Sequence, residues 1–192
     1  MSGIKYSLRQ ESTSFSIGTT NLRSSNGSLI DTNGCVALLV LSGFAVATIN
    51  FEKRILRKGD FVLLFYDSTF SMLSISAAFS VRYVSFAYHL IEEAIYKPLS
   101  INFWNTIYSN PVFRPNERDF KLLVEWWYQM EWVNNIKDYD YQEEILKNNI
   151  RNLLVATDIE IMDHAGDSLR NSRGHAWMLV NRFFRLLSSY CR

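Results

Sequence analysis

One cation interrupts a long apolar segment and is the first residue whose chemistry needs an explanation. Arg82 lies in "AFSVRYVSFAY", where its neighbours are aromatic, aliphatic or small. On the outside of a strand, an arginine lays its stem over apolar surface and keeps its guanidinium in water. Inside a barrel, the same side chain would pair with an anionic ligand. The sequence leaves both interpretations open.

Polar groups near this arginine could help to orient a ligand. The candidate ligand-binding residues are Arg82, Tyr66, Tyr83, Ser85 and Tyr88. Strand alternation places Arg82 and Tyr88 on one face, and Tyr83 and Ser85 on the other. The two sets therefore cannot line one pocket, and the sequence does not say which set faces inward.

Residue patterns that support catalysis or metal binding are missing from the sequence. His89, His164 and His175 stand apart from one another, and no pair of them has metal-ligand spacing. The strands predicted between residues 35 and 88 contain no histidine, which argues against a metal-dependent barrel enzyme. No glycine-rich phosphate loop and no GxSxG nucleophile motif occurs. We therefore expect no catalytic residues, no metal and no cofactor.

Charge and cysteine content restrict the class of protein further. The formal net charge is +1, whereas a free-standing nucleic-acid binder usually has a basic excess. Cys35 and Cys191 are too few and too far apart for a disulfide framework, which favours a reducing compartment. The N-terminal residues contain no apolar signal sequence. We expect a cytoplasmic protein.

Residues 32–51, "TNGCVALLVLSGFAVATINF", carry no charge and are long enough to cross a bilayer. Ser42 and Gly43 interrupt this segment, and it is rich in the Val, Ile, Thr and Phe that strands prefer. The pattern favours two buried strands joined at Ser42-Gly43, with no membrane contact.

The two parts of the chain have different periodicities. Apolar runs of strand length cover 35–41, 44–50, 61–66, 69–75 and 79–88, with polar breaks between them, so the first part predicts a sandwich or a barrel. From residue 117 onward the spacing is helical. Asn116 with Asp119, and Asp140 with Glu143, match capping boxes. A polar loop is predicted at 164–172, and a last helix from Ser172.

Large aromatic side chains are crowded in the first predicted helix. Trp126, Trp127, Tyr128 and Trp132 surround it, so one helix face would carry aromatics away from the strands. Such a surface is typical of a dimer interface. The alternative is that all of them pack inside one chain. The interface residues that we predict are Trp126, Trp127, Met130, Leu153 and Leu154.

The order of these segments resembles the N-terminal sensor domain of AraC-family bacterial transcription regulators. The resemblance rests on "GCVALLVLSGFAVATINFEKRILRKGDFVLLFYDSTF", with its apolar strand, Gly turn, "IN" strand end and "RKGD" turn. The segments "FAYHLIEEA", "FWNTIYSNPVFRPNERDFKLL" and "SRGHAWMLVNRFFRLLSSYCR" continue it, so that it covers about residues 26–192. The turn "DSTF" departs from the Pro- and His-containing segment of many members.

The resemblance implies an α+β fold in which a cupin-like β-barrel of jelly-roll type is followed by antiparallel helices. It implies a sensor domain at residues 1–110 and a helical dimerisation region at 111–192. It also implies that a domain with helix-turn-helix motifs, absent here, would follow the last helix. The sugar-binding residues of the family have no position-by-position match, so no effector is implied.

The function expected from the sequence is effector sensing and dimerisation in an AraC-like regulator, without catalysis. The partners would be an unknown small-molecule effector, a second copy of the chain, and DNA only through the absent C-terminal domain. Two alternatives stay open: a stand-alone metal-free cupin enzyme, and a protein–protein interaction module with a filled barrel. A cavity lined by Arg82 or tyrosines would favour the sensor, and a solid interior would favour the interaction module.

Overall fold

The computed structural model describes residues 6–25 and 27–168, which form a mixed α+β fold. Asn26, the last predicted helix and Cys191 lie outside these residues. The strands are β1 (Phe15–Thr20), β2 (Cys35–Ser42), β3 (Phe44–Ile49), β4 (Glu52–Arg57), β5 (Phe61–Phe65), β6 (Phe70–Ile75), β7 (Ser80–Phe86) and β8 (Val112–Phe113). The helices are α1 (Tyr88–Ala94), α2 (Ile101–Ser109), α3 (Glu117–Asn134) and α4 (Tyr139–Ser168).

The strands form two antiparallel sheets. The larger sheet has the order β1-β7-β2-β5-β8 and the smaller has the order β4-β3-β6. Among the described residues, no strand pairing joins the sheets into the closed barrel that we predicted. The reason is local: β2 and β3 are consecutive, but the turn between them moves the chain from one sheet to the other.

Gly43 makes this change of sheet possible. Its φ is +68°, a left-handed conformation that side chains disfavour. A Cβ atom at this position would also lie 2.6 Å from the backbone nitrogen of Phe79. The two-strand interpretation of residues 32–51 is thereby confirmed. In the described part of the chain, no helix has the length and hydropathy needed to span a bilayer.

The larger sheet is buried on both faces because it belongs to two apolar cores. Along β2, Val36, Leu38 and Val40 face the smaller sheet in the inter-sheet core. Cys35, Ala37 and Leu39 face the helices in the sheet–helix core. This arrangement explains why the strand sequences are apolar at consecutive positions instead of alternating.

Side-chain capping starts three of the described helices, and at α2 the Ser100 hydroxyl accepts a hydrogen bond from the Phe103 backbone N–H at 3.2 Å. The Asn116 side chain accepts a hydrogen bond from the Asp119 backbone N–H at 3.0 Å, as predicted for the start of α3. At α4 the predicted cap is wrong: Asp138, not Asp140, accepts hydrogen bonds from the N–H groups of the first turn. The predicted loop from residue 164 is also wrong up to Ser168, where the backbone is still helical.

Several elements were not predicted from sequence. Helices α1 and α2 lie within the range 1–110 that we assigned to the sensor domain, and they pack on α4. Strand β8 lies in the range 111–192 and pairs with β5. The boundary at residue 110 stays a prediction. The polar segment "EKRILR" forms β4, the edge strand of the smaller sheet, instead of a loop.

Candidate ligand-binding cleft

Arg82 lies on the helix-facing side of β7. Val84 and Phe86, which share its face, belong to the sheet–helix core. The guanidinium carbon of Arg82 lies 4.7 Å from the ring centroid of Tyr128 in α3, a cation–π contact. The charge therefore stacks on a helix instead of pointing between the sheets.

Tyr83 and Ser85 lie on the opposite face of β7, toward the smaller sheet. Ser85 is buried. The Tyr83 ring packs against the inter-sheet core, and its hydroxyl lies 3.4 Å from the Ser16 Oγ of the neighbouring strand β1. The structure thus shows which face of β7 points inward: the face that carries Tyr83 and Ser85 lies between the sheets.

Tyr66 and Tyr88 form a separate exposed pair at the end of β5 and the start of α1. Their ring centroids are 5.1 Å apart and the ring planes are nearly perpendicular. A hydrogen bond to Glu92 raises the pKa of Tyr88. The structure therefore distributes the five candidate residues over three places instead of one pocket.

An open cleft of about 1000 Å³ lies along β1, at the edge of the larger sheet. Its lining comprises residues 7–13, residues 15–17 of β1, Tyr83 and Asn134. Of the five candidate residues, Tyr83 lines it. The lining mixes hydroxyl and amide groups with the apolar side chains of Leu8, Phe15 and Ile17, a combination typical of small-molecule sites.

The wall formed by residues 7–13 is held by Arg9. Its Nη1 donates to the backbone oxygens of Thr13 at 2.6 Å and Gln10 at 3.2 Å. Its Nη2 donates to the Asn33 oxygen at 3.3 Å, across to the loop before β2. Leu8 is buried in the inter-sheet core and fastens the same segment. Sequence reasoning missed this wall, because one leucine and one arginine in a polar segment form no periodic pattern.

The cleft adjoins the helical layer as well as the sheet. Asn134 is the last residue of α3, and α3 contacts β1. The Ser14 Oγ lies 2.6 Å from the hydroxyl of Tyr139, the first residue of α4. A molecule bound in the cleft would therefore touch a sheet edge and the last residue of α3.

Buried apolar side chains from both sheets pack against one another between the sheets, including Leu38 and Leu64 of the larger sheet and Leu56, Phe70 and Met72 of the smaller. The cleft lies beside this core, at the edge of the larger sheet.

Groups that could bind a metal or act as a nucleophile are sparse. Among the side chains that the structure describes, in residues 6–25 and 27–162, no cluster of three His, Cys, Asp or Glu could hold a metal ion. Cys35 is buried, and burial raises the pKa of its thiol well above the usual range. The thiol therefore stays protonated in the sheet–helix core.

The residues predicted for the dimer interface are mostly covered by their own chain. Trp127, Met130, Leu153 and Leu154 are buried in the sheet–helix core, and Trp126 is half-buried against it. Of the crowded aromatic side chains, Trp126 and Trp127 thus follow the intramolecular alternative, whereas Tyr128 and Trp132 do not. The apolar side chains that α3 exposes are different ones: Leu122, Tyr128 and Trp132.

No family model and no curated protein matches the chain. Among solved structures, the apo form of a ToxT variant from Vibrio cholerae, an AraC-family regulator, superposes with a TM-score of 0.52. The identity is 16%, and the match covers 80% of this chain and 59% of ToxT. The chain therefore shares the fold of the matched part of ToxT.

This shared fold confirms, at the level of architecture, the resemblance found in the sequence. A second ToxT structure, wild-type protein with a bound unsaturated fatty acid, has a TM-score of 0.47 at 16% identity, covering 80% of this chain and 57% of that one. The chain thus spans less than two thirds of ToxT.

Proposed function

We propose that this chain is the effector-sensing and dimerisation domain of an AraC-like transcriptional regulator in the cytoplasm. Its two sheets would correspond to a cupin-like sandwich of jelly-roll type. It would bind a small-molecule effector, pair with a second copy, and contact DNA only through a C-terminal helix-turn-helix domain. No catalysis and no cofactor enter this proposal, and the similar structures are those of a regulator.

The observation that carries the proposal is the position of the cleft. It opens between residues 7–13, the edge strand β1 and the end of α3. A ligand that contacts all three would change the relative stability of two arrangements of the segment and the helices. Binding energy at the sheet edge could thereby be transmitted to the helical layer.

The lining suggests the chemistry of the effector. Hydroxyl and amide groups of Gln10, Ser12 and Asn134 could form hydrogen bonds, and Phe15 could cover an apolar part. ToxT has been solved with an unsaturated fatty acid, a molecule that also combines a polar and an apolar part. We propose an effector of this mixed type without assigning its identity.

The effector site can be tested by thermal shift against a set of small molecules. Binding to the folded state raises the apparent melting temperature, by an amount that grows with ligand concentration. We expect compounds that stabilise the wild type to lose this effect in Ser12→Trp, because the indole would fill the cleft. Ser24→Trp, at an exposed serine outside the lining, is the matched control. Compounds that stabilise both variants equally would exclude the cleft as the effector-binding site.

We propose dimerisation through the exposed side of α3. Trp132 is 61% exposed there, together with Tyr128 and Leu122, and an apolar surface of this kind is typically covered by a partner. Trp132→Glu should convert a sedimenting dimer into a monomer, since it would bury a charge in the interface. Phe51→Glu, at a still more exposed aromatic on the β3–β4 hairpin, should leave the dimer intact. A wild-type monomer at high concentration would exclude the interface.

The apolar packing between the sheets favours a second candidate, an interaction module that binds no small molecule. The same thermal-shift experiment distinguishes the two. If the chain is an interaction module, no compound should stabilise the wild type more than Ser12→Trp. The chain should still dimerise through the exposed side of α3.

A further inference from the structure

The smaller sheet has a face that points away from the inter-sheet core, which we call the outer face. Its centre and ends carry Phe44, Val46, Lys53, Ile55, Arg57 and Leu73, and the smaller polar residues Thr48, Ser71 and Ser74 complete it. Cross-strand pairs define it: Phe44 pairs with Arg57, and Val46 with Ile55. The residues between them on β3 and β4, such as Ala45 and Leu56, are fully buried on the opposite side.

The outer face is more apolar than an exposed sheet face usually is. Phe44 is 57% exposed, and Ile55 and Leu73 are each 47% exposed. Antiparallel sheets normally place polar residues on the side that faces solvent. The described helices all pack on the larger sheet, so they leave this face uncovered.

Its charges have one sign. Lys53 and Arg57 stand on β4 at either side of Ile55, and this face carries no carboxylate among the described residues. Neither cation takes part in any ion pair found in that part of the chain, whereas Arg54 pairs with Glu52 at the sheet edge. The outer face therefore combines an apolar centre with two unpaired cations.

The charges argue against two of the occupants that the chain itself could supply. A second copy of the outer face would bring Lys53 and Arg57 against the same cations, which is unfavourable. Residues 169–192 contain five arginines and no carboxylate, so this segment would be repelled as well. A partner of opposite charge is the complementary one.

We propose that the outer face docks an acidic segment of another protein. Apolar side chains of that segment would cover Ile55, Phe44 and Leu73, and its carboxylates would meet Lys53 and Arg57. Four strand positions separate these cations, about 13 Å. The carboxylates would then lie about seven or eight residues apart along one face of a helix, or about four apart on a strand. This surface is independent of the cleft and of the proposed sensor function.

The test is selection of displayed random peptides on the intact 192-residue chain. We expect enrichment of sequences with two carboxylates that flank apolar residues. For a selected peptide, affinity should fall about tenfold when Lys53→Glu is combined with Arg57→Glu, and it should also weaken with salt. Lys97→Glu combined with Lys137→Glu changes the net charge equally at distant exposed sites and should leave affinity unchanged.

Three results would overturn the proposal. One is that the selected peptides show no enrichment in acidic residues, or that they bind the double variant (Lys53→Glu with Arg57→Glu) as tightly as the wild type. A second is binding to vesicles of equal parts phosphatidylcholine and phosphatidylglycerol in the absence of peptide binding, which would make the partner a membrane surface. A third is a wild-type dimer that the substitution Ile55→Arg dissociates, which would make the partner of the outer face a second copy of this chain. Circular dichroism of each variant shows that the fold is retained.

Discussion

At the scale of single residues, the strongest conflict between sequence and local structure is at Phe51. The β3–β4 hairpin has a two-residue turn, since Ile49 pairs with Glu52. Asn50 and Phe51 both have positive φ, 48° and 66°. Asparagine tolerates this conformation, but a bulky residue such as phenylalanine is strained in it. The Phe51 ring is 82% exposed and contributes little packing that could offset the strain.

We therefore predict that Phe51→Gly stabilises the protein. Glycine adopts positive φ without steric cost, so the free energy of unfolding should rise by about 0.5–1 kcal/mol. Urea unfolding measures the change. Phe44→Gly, at an exposed phenylalanine inside strand β3, is the matched control and should destabilise by a similar amount. Equal destabilisation by both substitutions would contradict the strain argument.

At the scale of elements, polar contacts fix α1 and α2 against the long helix α4. The buried Asp158 of α4 accepts hydrogen bonds from both the backbone N–H and the hydroxyl of Ser100, which caps α2. Lys147 of α4 pairs with Glu93 of α1 and, at 2.8 Å, with Glu143 one turn earlier. Helix α1 has only seven residues, so these tertiary contacts position it rather than its own propensity.

The Lys147 contacts predict a pH dependence. The hydrogen bond from Lys147 lowers the pKa of Glu143 below its usual value. A carboxyl whose folded-state pKa is lowered stabilises the fold above its unfolded pKa, about 4.3, and loses this contribution as pH falls further. Lys147→Met should therefore be destabilising at neutral pH, and the difference from wild type should shrink by about pH 3.

Urea unfolding at the two pH values measures this difference. Lys121→Met is the matched control, because it removes an exposed ion pair with Glu117 that should contribute little at either pH. A difference between Lys147→Met and wild type that is the same at both pH values would contradict the assignment.

At the scale of the whole molecule, the larger sheet joins two cores into one cooperative unit. Leu38 and Leu39 are consecutive and fully buried, yet the first lies in the inter-sheet core and the second in the sheet–helix core. Neither core can lose its packing without exposing a face of the same strands. The sheets and the helices should therefore unfold together.

Leu38→Ala and Leu39→Ala test this coupling directly. Each should lower the free energy of unfolding by about 2–5 kcal/mol. Four of the five tryptophans, Trp104, Trp126, Trp127 and Trp132, lie in α2 and α3, so tryptophan fluorescence measured in a Trp177→Phe background reports on the helical side, and far-ultraviolet circular dichroism reports on both. The two signals should change at the same urea concentration in both variants. Separate transitions in Leu38→Ala would show that the cores unfold independently.

The sequence by itself determined the buried strands β2, β3, β5, β6 and β7, the break at Gly43 and the start of α3, because these depend on local apolar runs, glycine conformation and capping. It did not determine β4, whose charges fit a strand only because it lies at a sheet edge with one face in solvent. The tertiary structure decided which face of β7 points inward and placed Trp127 in a core. It also created the cleft along β1, since residues 7–13, Tyr83 and Asn134 meet only through long-range packing that no sequence spacing records.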